Sequence, residues 1–166
     1  MVLQQSINIR QATNDDRQAI WQILEPIIRV GETYTLPPAM DESAALAYWF
    51  APEHEVFVAE AGGQVLGTYY MRPNQRGGGA HVANCGYMTA PASTGRGVAR
   101  TMCAHSLEHA RSRGYRAMQF NFVIVTNERA VRLWESFGFA TVGRLPRAFL
   151  HPRHGYVDAL VMYKEL

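Results

Sequence analysis

Between Gly77 and Gly95 the chain carries no Asp, Glu, Lys or Arg, the longest such run in the sequence. A run this apolar has to be covered by the rest of the chain, because Gly77-Gly78-Gly79, His81, Asn84 and Pro91 exclude a membrane span. Ala80–Ala90 reads as a strand that ends at Pro91. The loop Ser93-Thr94-Gly95-Arg96-Gly97 then opens a helix over Val98–Arg113, with Ala99, Met102, Cys103, Leu107 and Ala110 on one face. Gly114 stops that helix, and Tyr115–Val125, rich in Phe, Val and Ile, has the length of a buried strand. Strand, glycine loop, helix and buried strand in succession commit this half of the chain to helices packed on a sheet.

The flanking segments extend that layer. Ser6–Ala12 alternates Ile7 and Ile9 with polar neighbours, and Thr13-Asn14-Asp15-Asp16 caps a helix with the apolar stripe Ile20, Ile23, Leu24, Ile27 and Ile28. Pro26 interrupts this stripe, so a kink or a split is expected there, and Gly31 ends the helix. A loop through Thr33-Tyr34-Thr35-Leu36-Pro37-Pro38 leads to a short helix from Asp41 through Trp49 and Phe50. Glu55–Ala61 and Gln64–Met71 flank Gly62-Gly63, the signature of a two-residue hairpin. Thr126 or Asn127 caps a further helix through Phe137, ended by Gly138. Phe139–Arg147 and Tyr156–Tyr163 supply the last strands, with the basic Arg147, His151, Arg153 and His154 in the loop between them. The order is β-α-α-β-β-β-α-β-α-β-β, an α/β (α+β) mixed sheet flanked by about four helices, with no repeat or linker dividing residues 1–166.

At 166 residues the length suits one domain, and 48% hydrophobic against 18% charged residues exclude disorder. A net charge of +2 is too mild to recruit nucleic acid, though it is compatible with a small anionic ligand. Cys85 and Cys103 have no CxxC spacing and read as small buried hydrophobes. Met1–Gln5 lacks a basic segment followed by an apolar one, so the expected location is cytoplasmic, with no membrane partner.

The loop Ser93–Gly97 is the first candidate binding element. Glycines there let backbone N–H groups approach an anion, the following helix N-terminus adds partial positive charge, and Arg96 and Arg100 add side-chain contacts to phosphates. Neither a Lys-Ser/Thr after the glycines nor a glycine at position 100 is present, which excludes a P-loop and a dinucleotide fingerprint. Asn84 and Asn121, each in the middle of a core strand, need partners, since an unsatisfied buried amide costs about 1–3 kcal/mol. They either bond neighbouring backbone where the strands separate or orient a substrate. No Asp or Glu occurs from 61 to 107, so the strand Ala80–Ala90 offers no carboxylate base. Glu32, His81 and Tyr87 are the remaining candidates, with His81 expected to stand too far from the reacting group.

Gly86-Tyr87-Met88-Thr89-Ala90-Pro91 followed by Thr94-Gly95-Arg96-Gly97-Val98-Ala99 resembles the acetyl-CoA signature of the GNAT superfamily of N-acetyltransferases, Arg/Gln-x-x-Gly-x-Gly/Ala. Asn127-Glu128-Arg129-Ala130-Val131-Arg132-Leu133-Trp134-Glu135-Ser136-Phe137-Gly138-Phe139 is similar to its second motif, Asn-x-x-Ala-x-x-Leu-Tyr-x-x-x-Gly-Phe. His151-Pro152-x-x-Gly155-Tyr156-Val157-Asp158 suggests the branch that resembles the yeast azetidine-2-carboxylate acetyltransferase and bacterial relatives. The resemblance implies a mostly antiparallel sheet whose fourth and fifth strands form a splayed parallel pair. It implies acetyl-CoA as co-substrate, no metal, and a homodimer. Carried onto this sequence, acetyl-CoA contacts fall on Met88, Thr89, Thr94, Gly95, Arg96, Gly97, Val98, Ala99, Arg100, Asn127 and Trp134, with the Met88 N–H as oxyanion donor. Asn84 and Asn121 become catalytic and substrate-orienting, and Tyr34 lies in a loop over the acceptor.

Two positions depart from the motifs. Thr94 stands where the signature has Arg or Gln, which removes a long side chain but leaves the backbone amides. Trp134 replaces a tyrosine thought to protonate the departing thiolate, and an indole has no usable acidic proton. A thiol with a pKa of roughly 8–9 can leave as thiolate without that donor. The activity expected from the resemblance is acetyl transfer to a small-molecule amine, an amino acid or analogue. Acetylation of a protein terminus or lysine, and a non-catalytic acyl-CoA sensor, are the alternatives.

Overall fold

The structure, a computed structural model, describes residues 6–166; Met1–Gln5, read above for a leader, lie outside the described residues. A seven-stranded sheet runs in the order β1-β2-β3-β4-β5-β7-β6, formed by β1 (Asn8–Gln11), β2 (Glu55–Ala61), β3 (Gln64–Pro73), β4 (Val82–Thr89), β5 (Ala117–Ile124), β6 (Ala140–His151) and β7 (Gly155–Glu165). Helices α1 (Arg17–Val30) and α2 (Glu42–Trp49) cover one face, and α3 (Val98–Ser112) and α4 (Glu128–Ser136) serve the other. The alternation of β4 divides its side chains accordingly. Ala83 and Cys85 join the core with Met102, Cys103 and Trp134, while Met88 packs with Ile20, Leu24 and Trp49.

The turns follow their chemistry. Gly62 and Gly63 both have positive φ, 59° and 77°, as a two-residue hairpin loop requires, and β2 pairs antiparallel with β3 across it. Gly86 serves a different need: a Cβ there would lie 2.6 Å from the Tyr70 ring, so the missing side chain is the space that ring occupies. Arg10 grips both oxygens of Asp16, at 2.8 and 2.9 Å, and also bonds Glu60, while the Thr13 N–H donates to Asp16 at 2.7 Å. This cluster anchors the entry to α1 against β1 and β2, and the Arg10 guanidinium holds the Asp16 carboxyl down at about 2.

Two expectations are corrected. The split allowed for at Pro26 does not occur, and α1 runs as one helix from Arg17 to Val30. The carbonyl that Pro26 leaves without a donor belongs to Gln22, an exposed residue, where water can take it, while Ile20, Ile23, Leu24 and Ile28 hold the buried face in place. The last hairpin is also longer than its pattern predicts. Arg147 and His151 belong to β6, and only a tight turn carrying Arg153 separates it from β7. The register shifts between Leu145 and Phe149, and Arg147 takes φ 52° with its N–H donated to Asp158 at 2.8 Å. That bulge around Pro146 breaks the alternation on which the strand reading depends.

Gly86→Ala should destabilise the protein by about 1–3 kcal/mol, because the Tyr70 ring cannot yield to a Cβ; urea denaturation reads this directly. The Arg10–Asp16 contribution, from a carboxyl whose pKa is depressed on folding, is full above pH about 4 and lost as pH falls towards about 2. The stability gap between the native chain and Asp16→Asn should therefore narrow over that window.

Candidate active site

β4 and β5 pair in parallel at only two positions, Val82 with Ala117 and Ala83 with Met118, and then part. The ladder to β3 fixes where the freed backbone groups point. Asn74 N–H donates to the Val82 carbonyl at 2.7 Å and Ala90 N–H to the Leu66 carbonyl at 2.8 Å. Between these bonds the register with β3 has no shift. Val82, Asn84, Gly86 and Met88 therefore turn their backbone groups to β3, and Ala83, Cys85, Tyr87 and Thr89 turn theirs to the gap. Arg116 N–H donating to the His81 carbonyl at 2.9 Å agrees with this phase. The Met88 N–H, expected as oxyanion donor, is thus committed to the pairing with Thr68, and the open N–H groups belong to Cys85, Tyr87 and Thr89. Met88 contributes its buried side chain to the wall instead.

A cleft of about 800 Å³ passes through the sheet at this gap. On the α3/α4 face it is bounded by Ser93, Thr94, Gly95, Gly97, Val98, Ala99 and Arg100. Gly95 and Gly97 both have φ above 80°, a conformation that bends the backbone so its amides can face an anion ahead of α3. Arg96 does not line the cleft; Arg129 and Arg132, which the sequence reading passed over, do. The Arg129 guanidinium stands 3.7 Å from where a Gly95 side chain would begin. No local signal marked them, since they lie two and five residues beyond the Asn127 cap on the exposed side of α4. Asn127 lines the cleft and accepts from the Ala130 N–H, and Trp134, 8% exposed, packs on Tyr87 and Phe120.

On the α1/α2 face the cleft is lined by Thr33, Tyr34, Thr35, Tyr48, Tyr70, Arg72, Asn84 and Asn121. The Tyr34 hydroxyl donates to the Tyr87 carbonyl at 2.9 Å, and burial pushes its pKa above the ordinary phenol value. The Tyr48 and Tyr70 hydroxyls lie 3.2 Å apart, and Tyr70 stacks on His54 with ring centres 4.0 Å apart. Asn84, 6% exposed, donates to the Gln119 carbonyl at 2.9 Å, and Asn121 bonds Asn74 at 2.7 Å and Gln119 at 2.9 Å. Both amides therefore line the cleft and both have structural partners; neither bonds the other. Tyr48, Tyr70 and Arg72 escaped the sequence reading because they come from two separate elements, α2 and β3, which only the tertiary fold brings to one cavity.

The candidate bases are occupied elsewhere. Tyr87 bonds Ser106 at 2.6 Å and burial drives its hydroxyl well above the ordinary phenol range. Glu32 pairs with Arg153 at 2.7 Å, and His81 borders a separate cavity with Tyr115, Arg116 and Glu165. His54 gives its Nδ1 to the Trp49 carbonyl, and burial lowers its pKa. Among the described residues no carboxylate lines the cleft.

The profile of the acetyltransferase (GNAT) family matches residues 17–139. The chain belongs to that family. It is therefore an N-acetyltransferase, and among solved structures it is similar to a GCN5-related N-acetyltransferase from Kribbella flavida, at 41% identity and TM-score 0.92 over 96% of this chain and 98% of that one. The N-acetyltransferase aca1 of Schizosaccharomyces pombe is 28% identical over 151 residues, 81% of this chain and 72% of the relative. At the level of fold alone, the yncA protein of Salmonella typhimurium, described with its cofactor acetyl-CoA, is 23% identical with a TM-score of 0.83, covering 96% and 94% of the two chains.

Gly97→Glu should weaken acetyl-CoA binding at least about 100-fold, since it adds a negative charge and a side chain at a positive-φ position facing the anion site. Calorimetric titration checks this, and retained affinity would refute the loop assignment.

Proposed function

We propose that this acetyltransferase moves the acetyl group of acetyl-CoA to a small-molecule amine, an amino acid or analogue, by direct attack with both reactants bound. The observation that carries the reading is the cleft itself. One arm is bounded by the glycine loop, α3 and the arginines of α4; the other by tyrosines and amides, and the two meet at the parted strands.

The residues fit acetyl-CoA. Arg100, Arg129 and Arg132 with the loop amides suit its phosphates, and the unpaired β4 edge from Cys85 to Thr89 suits the amides of its pantetheine arm. Acetyl-CoA supplies an activated acyl carbon. The Tyr87 and Thr89 N–H groups, in place of Met88, are the donors that can hold the acyl oxygen. Asn84 and Asn121 orient the amine from the opposite side without taking its proton, because an amide is no base. With no carboxylate in the cleft, the amine is delivered neutral or loses its proton to water. Trp134 shapes the wall and offers no acidic proton.

The loop after α1 supports a small acceptor over a peptide. Arg29 fastens it by donating to the Pro38 and Met40 carbonyls at 2.7 and 2.8 Å, and Tyr34 fastens it to β4. A homodimer is supported by Val142, Leu150 and Tyr156, which leave large apolar surface exposed on the β6–β7 hairpin. A cytoplasmic site of action is supported by Cys85 and Cys103, both free thiols.

Incubation with acetyl-CoA and a panel of amino acids, polyamines and peptides, followed by release of free CoA thiol, tests the reading; turnover confined to peptides or polyamines would overturn the acceptor. Asn84→Ala and Asn121→Ala should each raise the acceptor KM about tenfold while leaving acetyl-CoA affinity within about twofold. Asn84→Ala should also cost about 1–3 kcal/mol of stability by orphaning the Gln119 carbonyl. Equal loss of acceptor and acetyl-CoA binding would refute the orienting role.

A further inference from the structure

The arginines that line the cleft fall into two groups. Arg100, Arg129 and Arg132 stand beside the glycine loop and α4, where Arg100 bonds Ser136 and Arg132 pairs with Glu128. Arg72 stands apart, on the α1/α2 face near the end of β3, paired in register with Asn84. Its Nε donates to Asn84 Oδ1 at 3.3 Å, and Asn84 in turn donates to the Gln119 carbonyl. The side chain is thereby held across the mouth of the gap. Among the described residues its two terminal nitrogens make no hydrogen bond, and it pairs with no carboxylate.

A half-buried cation with two unbonded nitrogens is matched by an anion, and the cleft itself provides none. The phosphates of acetyl-CoA belong to the other arm, where three arginines and the loop amides already await them. The anion on this arm therefore has to arrive with the acceptor. Resting on the reading of this cleft as an amine acetylation site, we infer that Arg72 binds the carboxylate of the acceptor through its two free nitrogens. The substrate class is then amines with an adjacent carboxylate, the α-amino and α-imino acids.

The geometry favours a short separation between the two groups. Arg72 is opposite Asn84 on the neighbouring strand and its Nε bonds Asn84 Oδ1, while the open edge of β4 begins one residue on, at Cys85, so a carboxylate on this guanidinium is held beside Asn84 and close to the reacting edge. An amine one carbon from the carboxylate suits such a short separation better than a distal side-chain amine does. Asn84 is then a positioning residue for Arg72 as well as a neighbour of the amine. The bidentate fork also distinguishes a carboxylate from its carboxamide, which lacks both the charge and the second acceptor oxygen.

The test compares each L-amino acid and proline with its own carboxamide, by CoA thiol release and by calorimetric binding to the CoA-loaded protein. It is repeated with Arg72→Gln and Arg72→Lys, with melting temperature and acetyl-CoA Kd as checks on the fold and the other arm. The native enzyme should prefer an acid over its amide by at least about tenfold in kcat/KM. Arg72→Gln should abolish that preference, mainly through KM, while acetyl-CoA Kd stays within about twofold; Arg72→Lys should recover part of it. Equal use of acid and amide by the native enzyme, or a preference surviving Arg72→Gln, overturns the assignment while leaving amine acetylation standing. Arg72-dependent binding of the acids without turnover would instead uphold Arg72 and sink the small-amine reading. Neither binding nor turnover with any acid or amide overturns both.

Discussion

Two residue pairs join β4 to β5, and the cleft through the sheet exists because they are only two. A parallel ladder that continued past Ala83 would consume the backbone groups of Cys85, Tyr87 and Thr89 and close the sheet. Opening it leaves polar groups without partners, and the chain offsets that locally. The Asn84 amide takes the Gln119 carbonyl at the first broken step, and the Tyr34 hydroxyl takes the Tyr87 carbonyl further along. Two side chains of the α1/α2 face thus do the work of a missing strand, at positions where water would otherwise have to be recruited into a core.

The gap also explains why the two helical layers carry different chemistry. Side chains alternate along β4, so one strand presents Cys85 and Tyr87 to α3 and α4 while presenting Gly86 and Met88 to α1 and α2. The face towards α3 is completed by a glycine loop, a helix start and arginines, a combination suited to anions. The face towards α1 is completed by tyrosines, amides and the single guanidinium of Arg72. Because the cleft penetrates the sheet, groups held on opposite faces meet without either crossing the core.

The elements were legible where periodicity and punctuation agree: the Gly62-Gly63 hairpin, the Asp41 and Asn127 caps, and the strand, loop and helix from Val82 to Ser112 all follow from local rules. The failures share a cause. Pro26 and Pro146 are strong local breakers, yet packing on both sides carries the helix through the first, and a bulge clasped by Asp158 carries the strand past the second. In the site, the glycine loop could be read from sequence because its conformation needs particular residues at fixed spacing. Arg72, Arg129 and Arg132 are ordinary surface arginines by any local measure, and only the tertiary arrangement brings them to one cavity. The phase of the β4 backbone is a further case. Whether Met88 or its neighbours face the gap depends on registry with β3, which no pattern within β4 records.

The bond from Tyr34 to the Tyr87 carbonyl ties the roof of the acceptor arm to the strand edge that receives the other reactant. Roof and edge cannot shift independently while it holds, so ordering the edge also orders the roof. A reactant that stiffens β4 first makes the second arm ready for its occupant, and the conformational entropy of the loop is then already spent. One phenol on one carbonyl therefore makes the coupling mutual: whatever orders the strand edge readies the roof, and whatever orders the roof readies the edge.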